Sequence, residues 1–391
     1  MSHLFKPGFH LRASNEMILA RFINSLGFSV VAIASSLYLR NIGLSDSQVG
    51  IIAGLASACI ILSSPLIPIL LEKFRPMNLY ITSALLCSII YTFMGSTTAA
   101  IVAIPLFFLS RVNISVWTNS SAIAFKSTTH TKREFTKAQG MASSLINLGW
   151  IIGPLIAGLS LATWGPNETF YVGSAIMILG TSTLLLYPIN IPMKRRQKLD
   201  SSWIENVRFY LSNKALLKAY LFRTCVSIWW AFIFTFLPLL MVNEGYSLQQ
   251  VGLATSVISV PLFLLEFKTV DLVKSWGYQR IFLGSYLLMT ATMLLGVLSS
   301  SLMIFIIGLV IASLALAFLE PICELYLFDQ VTPLEEEKAY AIYSTSDSIG
   351  GIVGRLGVGL LIGLLSIEFG YIFIGLFTSV AAFTALTLKG E

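Results

Sequence analysis

Charge is scarce in this chain, and histidine scarcer. Only 11% of its 391 residues are Asp, Glu, Lys or Arg, less than half the roughly 25% of a soluble globular protein, so most of its surface must face something other than water. The three histidines, His3, His10 and His130, lie outside the apolar runs. A His-based metal site or a histidine proton relay at membrane depth is therefore not expected. The four cysteines, Cys59, Cys87, Cys225 and Cys323, stand singly inside apolar segments with no C-x-x-C spacing, as buried free thiols do and a disulfide framework or redox pair does not. No G-x-x-x-x-G-K-[ST] loop is present, which argues against ATP drive within the chain. With neither clustered metal ligands nor a nucleophile and base pair in view, the chain is not expected to be an enzyme or to carry a metal or organic cofactor.

What is abundant is apolar sequence. Hydrophobic residues make up 56% of the chain, and the mean hydropathy is +0.81. Runs of about 20 apolar residues, the length that crosses a bilayer core, recur from end to end. The first six spans are read at 17–39, 49–71, 78–94, 99–123, 139–163 and 170–187, and the last six at 217–240, 251–267, 280–298, 302–328, 339–365 and 369–388. The first is as long as a full span and has no cleavage signature, so it reads as a retained helix. The fold class is thus all-α and polytopic, with two six-helix bundles, 1–190 and 216–391, joined by a linker at 191–215. In that linker the basic run Lys194, Arg195, Arg196 and Lys198 precedes Trp203, Ile204, Val207, Tyr210 and Leu211. These apolar residues recur at helical spacing opposite Glu205, Asn206 and Arg208, a pattern for a short helix in the membrane interface.

The cations test the topology, because cytoplasmic loops hold an excess of Lys and Arg. With both termini cytoplasmic, 20 of the 25 basic residues lie on the inner side, Lys218 and Arg280 at the inner ends of their spans among them, four (Arg21, Arg111, Arg223, Arg355) lie deep within spans, and only Arg40 lies outside. The net charge of +6 is accounted for by membrane topology and not by nucleic-acid binding.

An internal repeat supports the two halves. A shift of 202 places Arg21 on Arg223, Gly43 on Gly245, Ser45 on Ser247, and Gln48, Val49 and Gly50 on Gln250, Val251 and Gly252. A shift of 201 places Lys137 on Lys338, Ser143 on Ser344, Gly149 on Gly350, Gly153 on Gly354 and Gly158 on Gly359. Shared hydrophobicity aligns Leu with Ile; it does not align arginine with arginine and glycine with glycine at nearly one offset.

The fifth span reads Gly140, eight residues, Gly149, three residues, Gly153, Pro154, two residues, Ala157, Gly158. Its small residues four apart give one smooth face for close helix packing, and Pro154 removes a backbone donor. This pattern resembles the antiporter motif of the major facilitator superfamily, departing from it only at Ala157. The likeness extends over the whole chain through the 6+6 architecture, and it implies a proton-coupled exporter among drug/proton-antiporter-like members. Arg111, followed four residues later by Ser115, resembles the family's fourth-span motif without its glycine, and the resemblance links Arg111 to proton transfer. The loop after the second span, with Pro68, Glu72, Lys73 and Arg75, keeps an acid and a base of the family's gating loop but neither glycine. Asp271, Lys274, Gly277 and Arg280 form its degenerate counterpart. Conformational roles are accordingly expected for Gly149, Gly153, Pro154, Glu72, Lys73, Arg21 and Arg223.

An ionised side chain inside a span costs several kcal/mol unless it meets a partner or water, so each is a functional candidate. The acids, Glu266, Glu320, Glu324 and Asp347, are all in the second half. Glu320 and Glu324 lie one turn apart around Pro321; proton binding is expected there and at Asp347, with Arg111 linked to it, while a salt bridge to Arg223 is the structural alternative. Asp347, eight residues into the eleventh span, is expected to be well buried, and Glu266 beside Lys268 reads as part of a cytoplasmic charge network. Arg111, Ser115, Thr118, Asn119 and Ala122 share one side of a helix and form a polar stripe expected to line a substrate cavity with Asn24, Trp230 and Arg355. Trp117, Trp150 and Trp229 read either as pocket lining or as packing.

The leading expectation is a secondary transporter that works by alternating access, driven by a proton gradient, and exports a small organic solute. Proton-coupled uptake of an anionic metabolite or chelator and lipid flipping stay open beside it. Expected partners are a small-molecule substrate and membrane lipid, without nucleic acid; the unit is expected to be a monomer in a plasma membrane, a bacterial inner membrane above all.

Overall fold

The computed structural model describes residues 7–129, 131–186, 203–265, 269–332 and 334–388. Among them lie fifteen helices and no strand. Twelve helical segments are long and apolar enough to cross a membrane. In chain order the helices are α1 (Pro7–Asn41), α2 (Asp46–Ser63), α3 (Leu66–Lys73), α4 (Pro76–Gly95), α5 (Ala100–Lys126), α6 (Lys132–Thr163), α7 (Pro166–Leu186), α8 (Trp203–Ser212), α9 (Lys214–Asn243), α10 (Leu248–Leu265), α11 (Thr269–Leu298), α12 (Leu302–Asp329), α13 (Glu336–Tyr343), α14 (Thr345–Leu364) and α15 (Ile367–Leu386). The basic run 194–198, Glu266 and Lys268 lie outside the described residues.

One expected span is broken. The second does not run unbroken from 49 to 71: α2 stops at Ser63, and α3 restarts at Leu66. Pro65 lacks the N–H that would continue the ladder and restrains the residue before it. The eleventh is assigned as two helices meeting at Ser344, but Ser344 keeps right-handed helical dihedrals (φ −60°, ψ −19°) and the span Lys338–Leu364 runs across it, with Asp347 inside. Gly277, at φ 73°, kinks α11.

The chain forms two contact units that exchange short segments. Unit 1 comprises 1–43, 59–195 and 247–256; unit 2 comprises 44–58, 196–246 and 257–391. In unit 1, α1 packs on α6 and α7, and α4 on α5 and α7; in unit 2, α9 packs on α14 and α15, and α11 on α12 and α15. The order is the same in both.

The repeat residues earn their recurrence by geometry. Gly43 (φ 98°) and Gly245 (φ 81°) take left-handed conformations at the ends of α1 and α9, which glycine adopts without steric cost. Two residues on, Ser45 and Ser247 cap α2 and α10: Gln48 N donates to Ser45 Oγ (3.3 Å) and Ser45 N to Gln48 Oε1 (2.9 Å), and Gln250 and Ser247 repeat this at 3.3 and 2.8 Å. These are reciprocal capping boxes. Ser247→Ala is expected to lower stability by about 1 kcal/mol, and Ser247→Asn by less, as measured by thermal unfolding of the purified protein.

The glycine stripes repeat as well. A Cβ on Gly149 would lie 2.8 Å from Ser25 Oγ, and one on Gly350 would lie 2.5 Å from the Cβ of Ser227, the residue 202 positions after Ser25. Gly158 faces Gly252 in unit 1, with 2.9 Å from its built Cβ to the Gly252 Cα; Gly359 faces Gly50 in unit 2, with 3.0 Å to the Gly50 Cα. Each helix pair approaches at a distance only hydrogen side chains permit.

In unit 2, α8 forms where the linker pattern placed it, but its faces differ from the expected ones. Tyr210 and Asn206 are buried, Tyr210 against Tyr220 (centroids 6.0 Å apart), while Ile204 and Leu211 are exposed. Contact with the helices beside it, and not apolarity alone, decides which face turns in.

Candidate functional site

Three ionised side chains from three helices of unit 2 meet at Arg223. On α9, Arg223, Ser227 and Trp230 are spaced i, i+4 and i+7, which puts them on one face. Arg223 Nη1 donates to Glu320 Oε2 on α12, and Arg223 Nε donates to Asp347 Oδ1 on α14 at 2.7 Å. Ser227 Oγ donates to the same Asp347 oxygen (2.5 Å), and Trp230 Nε1 donates to Glu320 Oε1 (2.6 Å). Both Glu320 oxygens are therefore engaged. The Trp230 ring is steadied by stacking on Phe234, centroids 5.3 Å apart.

The triad carries one positive and two negative formal charges. The Arg223 and Glu320 side chains are 19% and 24% exposed, whereas Asp347 is 50% exposed. The expectation of a well-buried Asp347 is corrected: its side chain is half exposed. The Glu320 salt bridge to Arg223, weighed as the structural alternative, is present. Glu324 is exposed one turn beyond and forms no ion pair among the described residues. Trp230, expected in a substrate cavity, donates to Glu320 of this triad. Ser227 escaped the sequence reading, although its position one turn from Arg223 was the signal that marks it.

Arg355, farther along α14, donates from Nη1 to Ser57 Oγ (2.7 Å) and from Nε to Thr235 Oγ1 (3.1 Å). Its guanidinium lies over Gly351, where a Cβ would come within 2.9 Å of Nη1. It thereby ties α2, α9 and α14 together.

Unit 1 is built differently. Arg21, the repeat mate of Arg223, lies 4.7 Å from the Phe125 ring centroid, and its Nη1 is buried without a hydrogen-bond partner. Asn24 is not an open cavity position: it is fully buried, donating to Tyr80 OH (3.0 Å) and accepting from Thr181 Oγ1 (3.3 Å). Ser115 is likewise buried, its Oγ 3.4 Å from Ile60 O, while Asn119 is exposed and donates to Ser115 O at 2.8 Å. Arg111 lies 4.6 Å from the Phe107 ring centroid. Trp117 and Trp150 pack on Phe28, and Trp229 is wholly buried, so these three are packing residues.

The expected conformational residues fall into two groups. Gly149 and Gly153 seat α6 against α1, where Ser29 Oγ donates to Gly149 O (3.0 Å), and one turn before Pro154 the Ser256 hydroxyl donates to Ile151 O. Glu72 and Lys73 stand exposed at the end of α3.

Twelve spans, a repeated helix order and charged groups gathered within the spans define a secondary transporter, an integral membrane protein. The Major Facilitator Superfamily family model matches residues 17–265 and 230–390, and the chain belongs to that family. It is 23% identical over 370 residues to the uncharacterized MFS-type transporter MJ1560 of Methanocaldococcus jannaschii, covering 92% of this chain and 93% of that one. It is 23% identical over 184 residues to Multidrug resistance protein 2 of Bacillus subtilis, covering 46% and 45%. Its fold is similar to the crystal structure of a bacterial homolog to the human lysosomal transporter Spinster, inward-facing and unoccupied, with TM-score 0.76, 14% identity and 97% of each chain covered.

Proposed function

We propose that this transporter is proton-coupled and exports a small organic solute, from a bacterial inner membrane with both termini cytoplasmic. The observation that carries the coupling is Arg223 shared between Glu320 and Asp347. A proton arriving on Glu320 removes one of the two negative charges that hold the guanidinium and leaves it to Asp347. Contact between α9 and α12 is thereby weakened while that between α9 and α14 remains. Proton loss restores the first contact, so proton binding is tied to helix rearrangement without any covalent step. Export is supported by the fifth-span motif around Gly153 and Pro154, and by the partial likeness to a multidrug resistance protein.

The test is solute flux in proteoliposomes under an imposed pH gradient, across a panel of organic compounds. Glu320→Gln is expected to reduce gradient-driven flux by about 5- to 150-fold, the usual span of a coupling free energy, while solute exchange without a gradient persists. Flux indifferent both to the gradient and to Glu320→Gln would overturn the proposal.

A further inference from the structure

In unit 1, Arg21 and Arg111 lie within spans, and among the described residues neither is paired with a carboxylate. The titratable neighbour of Arg21 is Tyr80, and those of Arg111 are Tyr91 and Cys87; phenol and thiol are neutral at pH 7. No acidic side chain among the described residues forms an ion pair with either arginine. A guanidinium in a span without an anion is costly, and in unit 2 the equivalent of Arg21 has two carboxylates.

Both side chains are partly exposed, but Arg21 Nη1 is sealed in beneath Phe125. On α5 the exposed Thr118, Asn119 and Ala122 follow Arg111 on its side of the helix, beyond the buried Ser115. At about 100° per residue, these lie within one side of the helix. The exposed apolar residues Val102 and Leu109 point to the opposite side, about 160–180° from Arg111. Exposed apolar residues thus mark one side of α5 and exposed Thr118 and Asn119 the other, with Arg111, unpaired with any acid among the described residues, near the middle of the helix.

We propose that Arg111 receives an oxyanion group, a carboxylate or a phosphate, on the transported solute. This inference rests on the transporter reading and supplies its substrate class. The planar guanidinium presents paired donors that match two oxygens of such a group, the Phe107 ring holds it from behind, and Thr118 and Asn119 offer hydrogen-bonding groups farther along the strip.

The test is binding, read by thermal unfolding of the purified protein at fixed ionic strength with benzoate, phenyl phosphate or neutral benzamide. Either anion is expected to raise the unfolding temperature where benzamide does not. Arg111→Gln is expected to weaken that response at least about tenfold, and Arg111→Lys is expected to keep part of it. A cooperative unfolding transition of unliganded Arg111→Gln close to that of the wild type separates a lost site from a misfolded variant. An equal response in wild type and Arg111→Gln, or no difference between the anions and benzamide in the wild type, overturns the proposal. Anion binding without solute flux would instead defeat the transport reading and leave this site standing.

Discussion

Replacing Arg223 by leucine is expected to destabilise the protein by about 3 kcal/mol, because it leaves two carboxylates facing each other without their cation. Removing one partner of a buried ion pair costs about 3–5 kcal/mol; the lower end applies here because Asp347 is half exposed and water screens it. The loss belongs to uncompensated charge, so neutralising the acids should recover it. Arg223→Leu combined with Glu320→Gln and Asp347→Asn is expected to regain most of the stability, but not proton coupling. Arg21→Leu, at the repeat position without a carboxylate, is expected to be neutral or stabilising. Thermal unfolding of the four proteins in detergent checks this. A triple variant as unstable as Arg223→Leu would show instead that the side chain matters through packing.

Gly252→Val is expected to be the most damaging single change outside the charged cluster. A Cβ at Gly252 would press on the carbonyl oxygen of Pro154 and come within 2.8 Å of the Gly158 Cα. Both obstacles are backbone, so no side-chain rotation relieves them and the start of α10 must move away from α6. Overpacking of this kind costs about 1–3 kcal/mol and sometimes more. Gly284→Val is the control, since a Cβ there meets nothing within 4 Å. The yield of monodisperse protein after size exclusion, together with solute flux, should fall sharply for Gly252→Val and little for Gly284→Val. Equal behaviour of the two would mean that the close approach is not needed.

The spans, the two halves and the repeat were legible in the sequence because each has a local cause. Apolar length marks a crossing, and Gly43, Ser45 and Gln48 recur as Gly245, Ser247 and Gln250 because one turn is built twice. Glu320 and Asp347 stood out as acids in apolar runs. The Glu320 pair with Arg223 was in view as the structural alternative, but Asp347 on the same guanidinium was not: that contact joins residues 124 positions apart, and no spacing rule reaches that far. The break before α3 was hidden by hydropathy, which runs unchanged across Ser64 although Pro65 carried the signal. The burial of Asn24 and Asn206 was missed for a related reason: a helix pattern shows which residues share a face and not what that face meets. The exchange of 44–58 and 247–256 between units was beyond reach on the same ground.

That exchange bears on how the protein is made. Gly50 finds its partner Gly359 within unit 2, yet it leaves the ribosome about 300 residues earlier. At about 5–20 residues per second the interval is roughly 15–60 s. Throughout it the glycine face of α2 has lipid, or the insertion machinery, as its only neighbour at that position. The first half therefore enters the bilayer with one helix still uncommitted, and the chain completes that packing only after its eleventh span has been synthesised.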